Sequence, residues 1–168
     1  TRLALILPIT LLLIGTILHL NYKNKRDVLI AMSTILVTLS GCILSLFITR
    51  TYFSISAGVG FIAAIGVSIQ NGVILLSSII KQQKLDRNYN LTEAITQGAV
   101  QKLRPVLTAS LVAILGLLPA ALSNGIGAQS QKPFAISIIG GLLFGTVFTI
   151  FLIPLLYKIT EERKHEIS

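Results

Sequence analysis

The sequence predicts an all-α membrane protein, a polytopic bundle of five transmembrane helices, on three observations. Mean hydropathy is +0.83. Only 12% of the 168 residues are charged, about half the share in an ordinary soluble domain. The polar residues are gathered into short clusters between long apolar runs, whereas a soluble core of this size alternates apolar and polar stretches.

A bilayer core needs about 20 apolar residues of helix, and five runs qualify. They cover about residues 3–20, 28–49, 55–80, 105–123 and 134–157. Between the third and fourth, Asn90 with Glu93 three residues on has the spacing of a capping pair that opens a helix. Leu91, Ala94, Ile95, Gly98, Ala99 and Leu103 then recur at helical spacing, with Thr92, Glu93, Thr96 and Gln97 opposite. An amphipathic helix over about 90–103 is expected, either lying at the membrane surface or packed on the ends of neighbouring spans, and delivering the chain to Pro105.

Lys and Arg set the expected orientation. With five spans, one side receives Lys23, Lys25, Arg26, Lys81, Lys84, Arg87, Lys102, Arg104, Lys158, Arg163 and Lys164, and the other only Arg2, Arg50 and Lys132. The richer side is cytoplasmic by the positive-inside rule, which puts the N-terminus outside and the C-terminus in the cytoplasm. A chain that begins outside at Thr1, with no basic segment ahead of its first span, needs earlier spans to place it there. It therefore reads as a piece of a longer protein.

The formal charge of +8 does not point to nucleic acid. The cations sit at the ends of apolar runs, Trp is absent, and no basic stretch is interleaved with aromatics for stacking bases. The single cysteine, Cys42, lies inside an apolar run and reads as a small buried residue. No metal-ligand cluster, phosphate loop or nucleophile–base pair is present, and His19 and His165 lie far apart. No cofactor is expected, and an enzyme is the least supported class.

Within the spans, small residues recur at four-residue spacing, as lipid-embedded helices require for close approach. Ser137, Gly141 and Gly145 form one row and Ala64, Ser68 and Gly72 another, with Ala109/Ala113 and Gly116/Ala120 on the fourth span. Gln70 and Asn71 carry more information. They lie mid-span, where an unpaired amide is costly, and consecutive residues point about 100° apart. The third span should therefore meet polar partners on two sides and sit centrally, with the amides either on a transport path or in structural hydrogen bonds. Thr108 and Ser110 read first as hydroxyls bonded one turn back along their own helix. Every acid, Asp27, Asp86, Glu93, Glu161, Glu162 and Glu166, lies outside the spans. A proton-coupled carrier built on this chain would need its buried carboxylate elsewhere.

Several stretches together resemble the C-terminal half of the resistance-nodulation-division (RND) transporters. They are GVGFIAAIGVSIQNGVIL over 58–75, EAITQGAVQKLRPVL over 93–107, GIGAQSQKPFA over 125–135, the Gly140-Gly141 pair and IPLLY over 153–157. The Gln131-Lys132-Pro133 element is similar to the heavy-metal branch rather than the drug-efflux branch. The resemblance covers nearly the whole chain and implies half of an RND transmembrane domain, helices eight to twelve. It implies a proton antiporter that is a homotrimer in the bacterial inner membrane, joined to a periplasmic adaptor and an outer-membrane channel through domains this chain lacks. In that family proton transfer uses acids on helix four, often faced by a Lys or Glu on helix ten, where Gln70 stands here. The basic residue before Leu-Arg-Pro is usually Arg and is Lys102 here, expected to be buried and charged, without the bidentate fork of Arg. A relay Thr commonly stands at the position of Ala109, which Thr108 and Ser110 flank. Gln70, Asn71, Lys102, Thr108 and Ser110 are thus the candidate path residues, and Ser68, Gly72, Gly141 and Gly145 the candidate packing residues. With Met32 and Cys42 the only sulfurs, this portion offers no thioether ladder for Cu(I) or Ag(I), which leans towards Zn, Co, Cd or Ni. A drug-efflux pump and a non-transporting scaffold, such as an accessory subunit of protein export, are the competing readings.

Overall fold

A computed structural model describes residues 25–85, 90–125 and 127–167, together with residues 8, 9, 12, 13 and 16; side chains are described as far as residue 162, except that of residue 25. The first expected span, residues 3–20, lies outside this continuous region. The described chain forms four helices, α1 (Lys25–Ile48), α2 (Ile55–Leu85), α3 (Leu91–Leu122) and α4 (Ala128–Ile167), with no strand among the described residues. Each is long and apolar enough to cross a membrane.

Local chemistry starts and stops each helix. Asp27 in the first turn of α1 faces the positive end of the helix dipole. At the other end the Thr51 N–H donates to the Leu46 carbonyl (3.0 Å) and the Arg50 N–H to the Phe47 carbonyl (3.2 Å). This is the Schellman pattern, and Arg50 occupies its left-handed position with φ of 50°. Ser54 opens α2: its hydroxyl accepts from the Ala57 N–H (3.3 Å) and its carbonyl from the Gly58 N–H (3.0 Å). Gly127, with φ of 91°, turns the chain into α4; an L side chain there would be strained.

Two expectations need correction. Asn90 does flank the start of α3, but its side chain makes no cap bond. Its carbonyl instead accepts from the N–H groups of Glu93 (2.8 Å) and Ala94 (3.2 Å). Nor does Pro105 divide an interfacial helix from a span, because α3 runs unbroken through Pro105 and Pro119. Proline removes one intrahelical bond, yet its fixed φ is a helical value, and membrane helices accommodate the freed carbonyl. Helix α4 likewise passes through Pro133 and Pro154.

The helices alternate in direction, and α2 and α4 form the centre, each packing on the other and on both flanking helices. Contacts at Ser45–Ile136 and Cys42–Gly141 show α1 antiparallel to α4. Those at Ile79–Gly98 and Asn71–Ser110 show α3 antiparallel to α2. Ile30, Ile35, Ile65, Leu75, Leu76, Ile79, Ile95 and Ile153 make one apolar cluster with Tyr157 at its edge. A smaller cluster joins Leu46, Ala57 and Ile136 at the opposite end.

The α2–α4 contact is made by the small-residue rows. A Cβ added at Gly141 would fall 2.7 Å from the Ala64 Cβ and 2.5 Å from the Cys42 sulfur. One at Gly145 would fall 2.7 Å from the Thr38 hydroxyl and 3.2 Å from that of Ser68, and one at Gly72 would fall 3.2 Å from Ile153. Ser137, Gly141 and Gly145 thus lie along Gly60, Ala64 and Ser68 with the two helices parallel. Without a hydrophobic force between helices in lipid, such backbone approach is the main source of cohesion. Gly41 and Gly140 extend it between α1 and α4, where a Cβ on Gly41 would meet the Gly140 carbonyl at 2.7 Å.

Candidate functional site: a hydroxyl layer across the bundle

Halfway along the bundle the four helices contribute polar side chains to one level. Asn71 on α2 is 4% exposed and donates from Nδ2 to the Ser110 hydroxyl on α3 (3.2 Å). Ser110, 3% exposed, lies 2.7 Å from the Thr146 hydroxyl of α4. Beside this chain, the Thr38 hydroxyl of α1 lies 2.6 Å from that of Ser68 and 2.8 Å from the Thr34 carbonyl. The Thr34 hydroxyl donates to the Ala31 carbonyl (2.8 Å). Thr149, one turn on from Thr146 and 1% exposed, has a buried hydroxyl with no hydrogen-bond partner among the described residues.

The layer sorts the candidates. Asn71 and Ser110 are brought together. Gln70, one residue from Asn71, points away and is exposed, so the third span sits centrally but only one of its two amides turns inward. Thr108 is exposed and its hydroxyl donates to the Arg104 carbonyl one turn back (2.8 Å), the local bond expected of a membrane Thr. Lys102 is also exposed, which corrects the expectation that it is buried within this chain. It is two turns from Ser110, about 12 Å along the helix, and borders a groove of about 560 Å³ with Lys81, Ser77, Ser78, Gln82 and Gln101. Ser68, Gly72, Gly141 and Gly145 all lie in helix contacts.

The sequence reading missed Thr34, Thr38, Thr146 and Thr149. The available signal was hydroxyls at i, i+4 and i, i+3 within otherwise apolar runs. It is weak, because an intrahelical bond satisfies most such residues.

Chemically the layer holds hydroxyls and one amide, none of which changes charge near neutral pH. It can orient and pass hydrogen bonds but cannot store a proton. The described acids, Asp27, Glu93, Glu161 and Glu162, lie towards helix ends, with Glu161 accepting from Gln83 (3.5 Å), itself bonded to the Tyr157 hydroxyl. No group of three His, Cys, Asp or Glu that could hold a metal occurs among the described residues.

Membrane-length helices that share a buried polar layer define a polytopic membrane protein. The chain belongs to the AcrB/AcrD/AcrF family, whose model matches residues 1–161. It is 39% identical over 166 residues to the cobalt-zinc-cadmium resistance protein CzcA of Cupriavidus metallidurans, covering 99% of this chain and 15% of that protein. It is also 39% identical over 163 residues to the nickel and cobalt resistance protein CnrA of the same organism, covering 97% of this chain and 15% of the relative. Among solved structures, a heavy metal efflux pump superposes with a TM-score of 0.82 at 34% identity, over 96% of this chain and 15% of that one. The chain thus spans about 15% of the length of the relatives it matches.

Proposed function

We propose that this chain is part of the membrane domain of a proton-driven RND efflux transporter that exports heavy-metal cations. The observation that carries the reading is the agreement in sequence and in helix arrangement, over nearly the whole chain, with proteins named for cobalt, zinc, cadmium and nickel resistance and with a heavy metal efflux pump. In this reading the chain supplies five spans with the N-terminus periplasmic and the C-terminus cytoplasmic. The complete protein is a homotrimer in the bacterial inner membrane, working with a periplasmic adaptor and an outer-membrane channel. The cargo is a divalent ion of the Zn, Co, Cd or Ni group, bound by residues outside the described part of this chain.

The exposed positions have a place in the same reading. Gln70, Lys102 and Thr108 form surface that the rest of the longer protein covers, and Lys102 there approaches the proton-carrying acids of an earlier helix. Replacing Lys102 with Ala in the full protein is expected to cut efflux at least tenfold while the trimer still assembles. Transport assays and size-exclusion chromatography check the two halves separately. Undiminished transport removes Lys102 from the mechanism.

The function is tested in the parent cell, with the gene deleted and restored, by growth against Zn, Co, Cd, Ni, Cu and Ag. Sensitivity to one or two of the first four, rescued by the gene, is the expected result. Sensitivity to dyes or detergents with no metal phenotype overturns it in favour of a drug pump.

A further inference from the structure

The turn joining α1 to α2 holds a feature that the efflux reading does not use. A cleft of about 660 Å³ lies there, lined by Ile43, Leu46, Phe47, Phe53 and Phe61 with Arg50, Thr51 and Tyr52 at its polar end. The Phe53 and Phe61 rings meet edge to face at 5.6 Å to form one wall. Among the described residues, Arg50 is the only cation lining the cleft, no acid lines it, and no carboxylate pairs with Arg50.

The backbone makes Arg50 informative. The left-handed position of a Schellman motif is the helix-end position where glycine is most strongly favoured. Arginine there, at φ of 50°, costs on the order of 1 kcal/mol. The position therefore sacrifices backbone comfort to present a guanidinium, and a strained residue at the mouth of a cleft points from geometry to use.

We propose that this cleft binds a membrane phospholipid, its phosphate on the Arg50 guanidinium and an acyl chain along Ile43, Phe47 and Phe61. Charge decides the head: a guanidinium fork matches a phosphate and repels a metal cation. Position decides the tail, because the cleft opens where two helices of membrane length meet and its walls are aliphatic and aromatic. The exposed Tyr52 and Phe53 (91% and 70%) suit the headgroup level, where aromatic rings concentrate. A lipid with net negative charge binds best, since the lone cation has no acid to neutralise it.

The test uses the full-length protein, delipidated in mild detergent, and reads both the thermal midpoint and the lipids retained by native mass spectrometry. Phosphatidylglycerol is expected to raise the wild-type midpoint and to be retained at one more molecule per chain than in Arg50→Gly. The single lost cation lowers lipid affinity about fivefold. Without lipid, Arg50→Gly should melt at or above the wild type, because glycine relaxes the turn, so a folding defect cannot mimic the result. Ile43→Trp, which narrows the cleft and leaves Arg50 in place, should also lose the lipid. Equal retention and equal midpoint shifts in wild type and Arg50→Gly overturn the proposal. So does an equal rise with inorganic phosphate, which would make the site one for free anions.

Discussion

Gly98→Ala is expected to destabilise the protein by about 1–3 kcal/mol, the range for forcing a methyl into a filled contact. An added Cβ would lie 2.7 Å from the Ile79 Cα and 2.9 Å from its nitrogen, with the Ser78 carbonyl at 3.1 Å. All three are backbone atoms of α2, so no rotamer change makes room, and α3 must move away as a body. That would stretch the Asn71–Ser110 bond two to three turns further along, and efflux should fall with stability. Gly116 lies on the same helix and would meet nothing within 4 Å. Gly116→Ala is therefore expected to be neutral or slightly stabilising, since alanine is the better helix former. Thermal unfolding of the two variants in detergent checks the contrast; equal midpoints would mean that α3 is not seated on α2 as described.

In the proposed pump, Asn71→Leu is expected to reduce metal export at least tenfold. The substitution fills a similar volume but removes the donor to Ser110 and leaves an apolar group against the hydroxyls of the central layer. Ser110 keeps its contact with Thr146, so the loss is the Asn71–Ser110 hydrogen bond itself, about 0.5–1.5 kcal/mol, borne at the junction of α2, α3 and α4. Ser110→Ala breaks the same bond from the other side and also strands Thr146. The double variant Asn71→Leu, Ser110→Ala should be less impaired than the sum of the two, because both changes remove one shared interaction. Metal resistance conferred by each variant in a deletion strain, with protein levels matched, gives the comparison. Strictly additive losses would show that the two residues act separately.

Much of the fold was legible in the sequence because lipid simplifies the code. Apolar runs of membrane length stand out without knowledge of partners, and the limits of α2 differ from the expected 55–80 mainly by the added Lys81–Leu85. The rows through Ser68 and Gly141 were legible for a related reason: only small residues let lipid-embedded backbones approach. The helix expected over about 90–103 and the span expected from Pro105 form one helix, because proline's fixed φ is a helical value and a membrane helix accommodates the freed carbonyl. The candidate site was half legible. Asn71 drew notice as an amide in hydrocarbon, whereas Thr38 and Thr146 look alike in sequence to any Thr that bonds its own helix. Which of Gln70 and Asn71 turns inward could not be read locally, since that depends on where α3 and α4 lie.

The position of α4 bears on how such a bundle is made. It touches all three other helices and fills the space between them, yet it is the last of the four to be synthesised. Until it leaves the ribosome, Ser110 lacks Thr146, and the rows of α1 and α2 lined by Gly41, Ala64 and Ser68 face lipid instead of a helix. The earlier spans can enter the bilayer one by one and pair as α1–α2 and α2–α3, but the space between them stays open. Closure of the bundle therefore waits on α4, forty residues long, and a nascent chain arrested before Ala128 exposes a vacant slot to the quality-control proteases of the membrane.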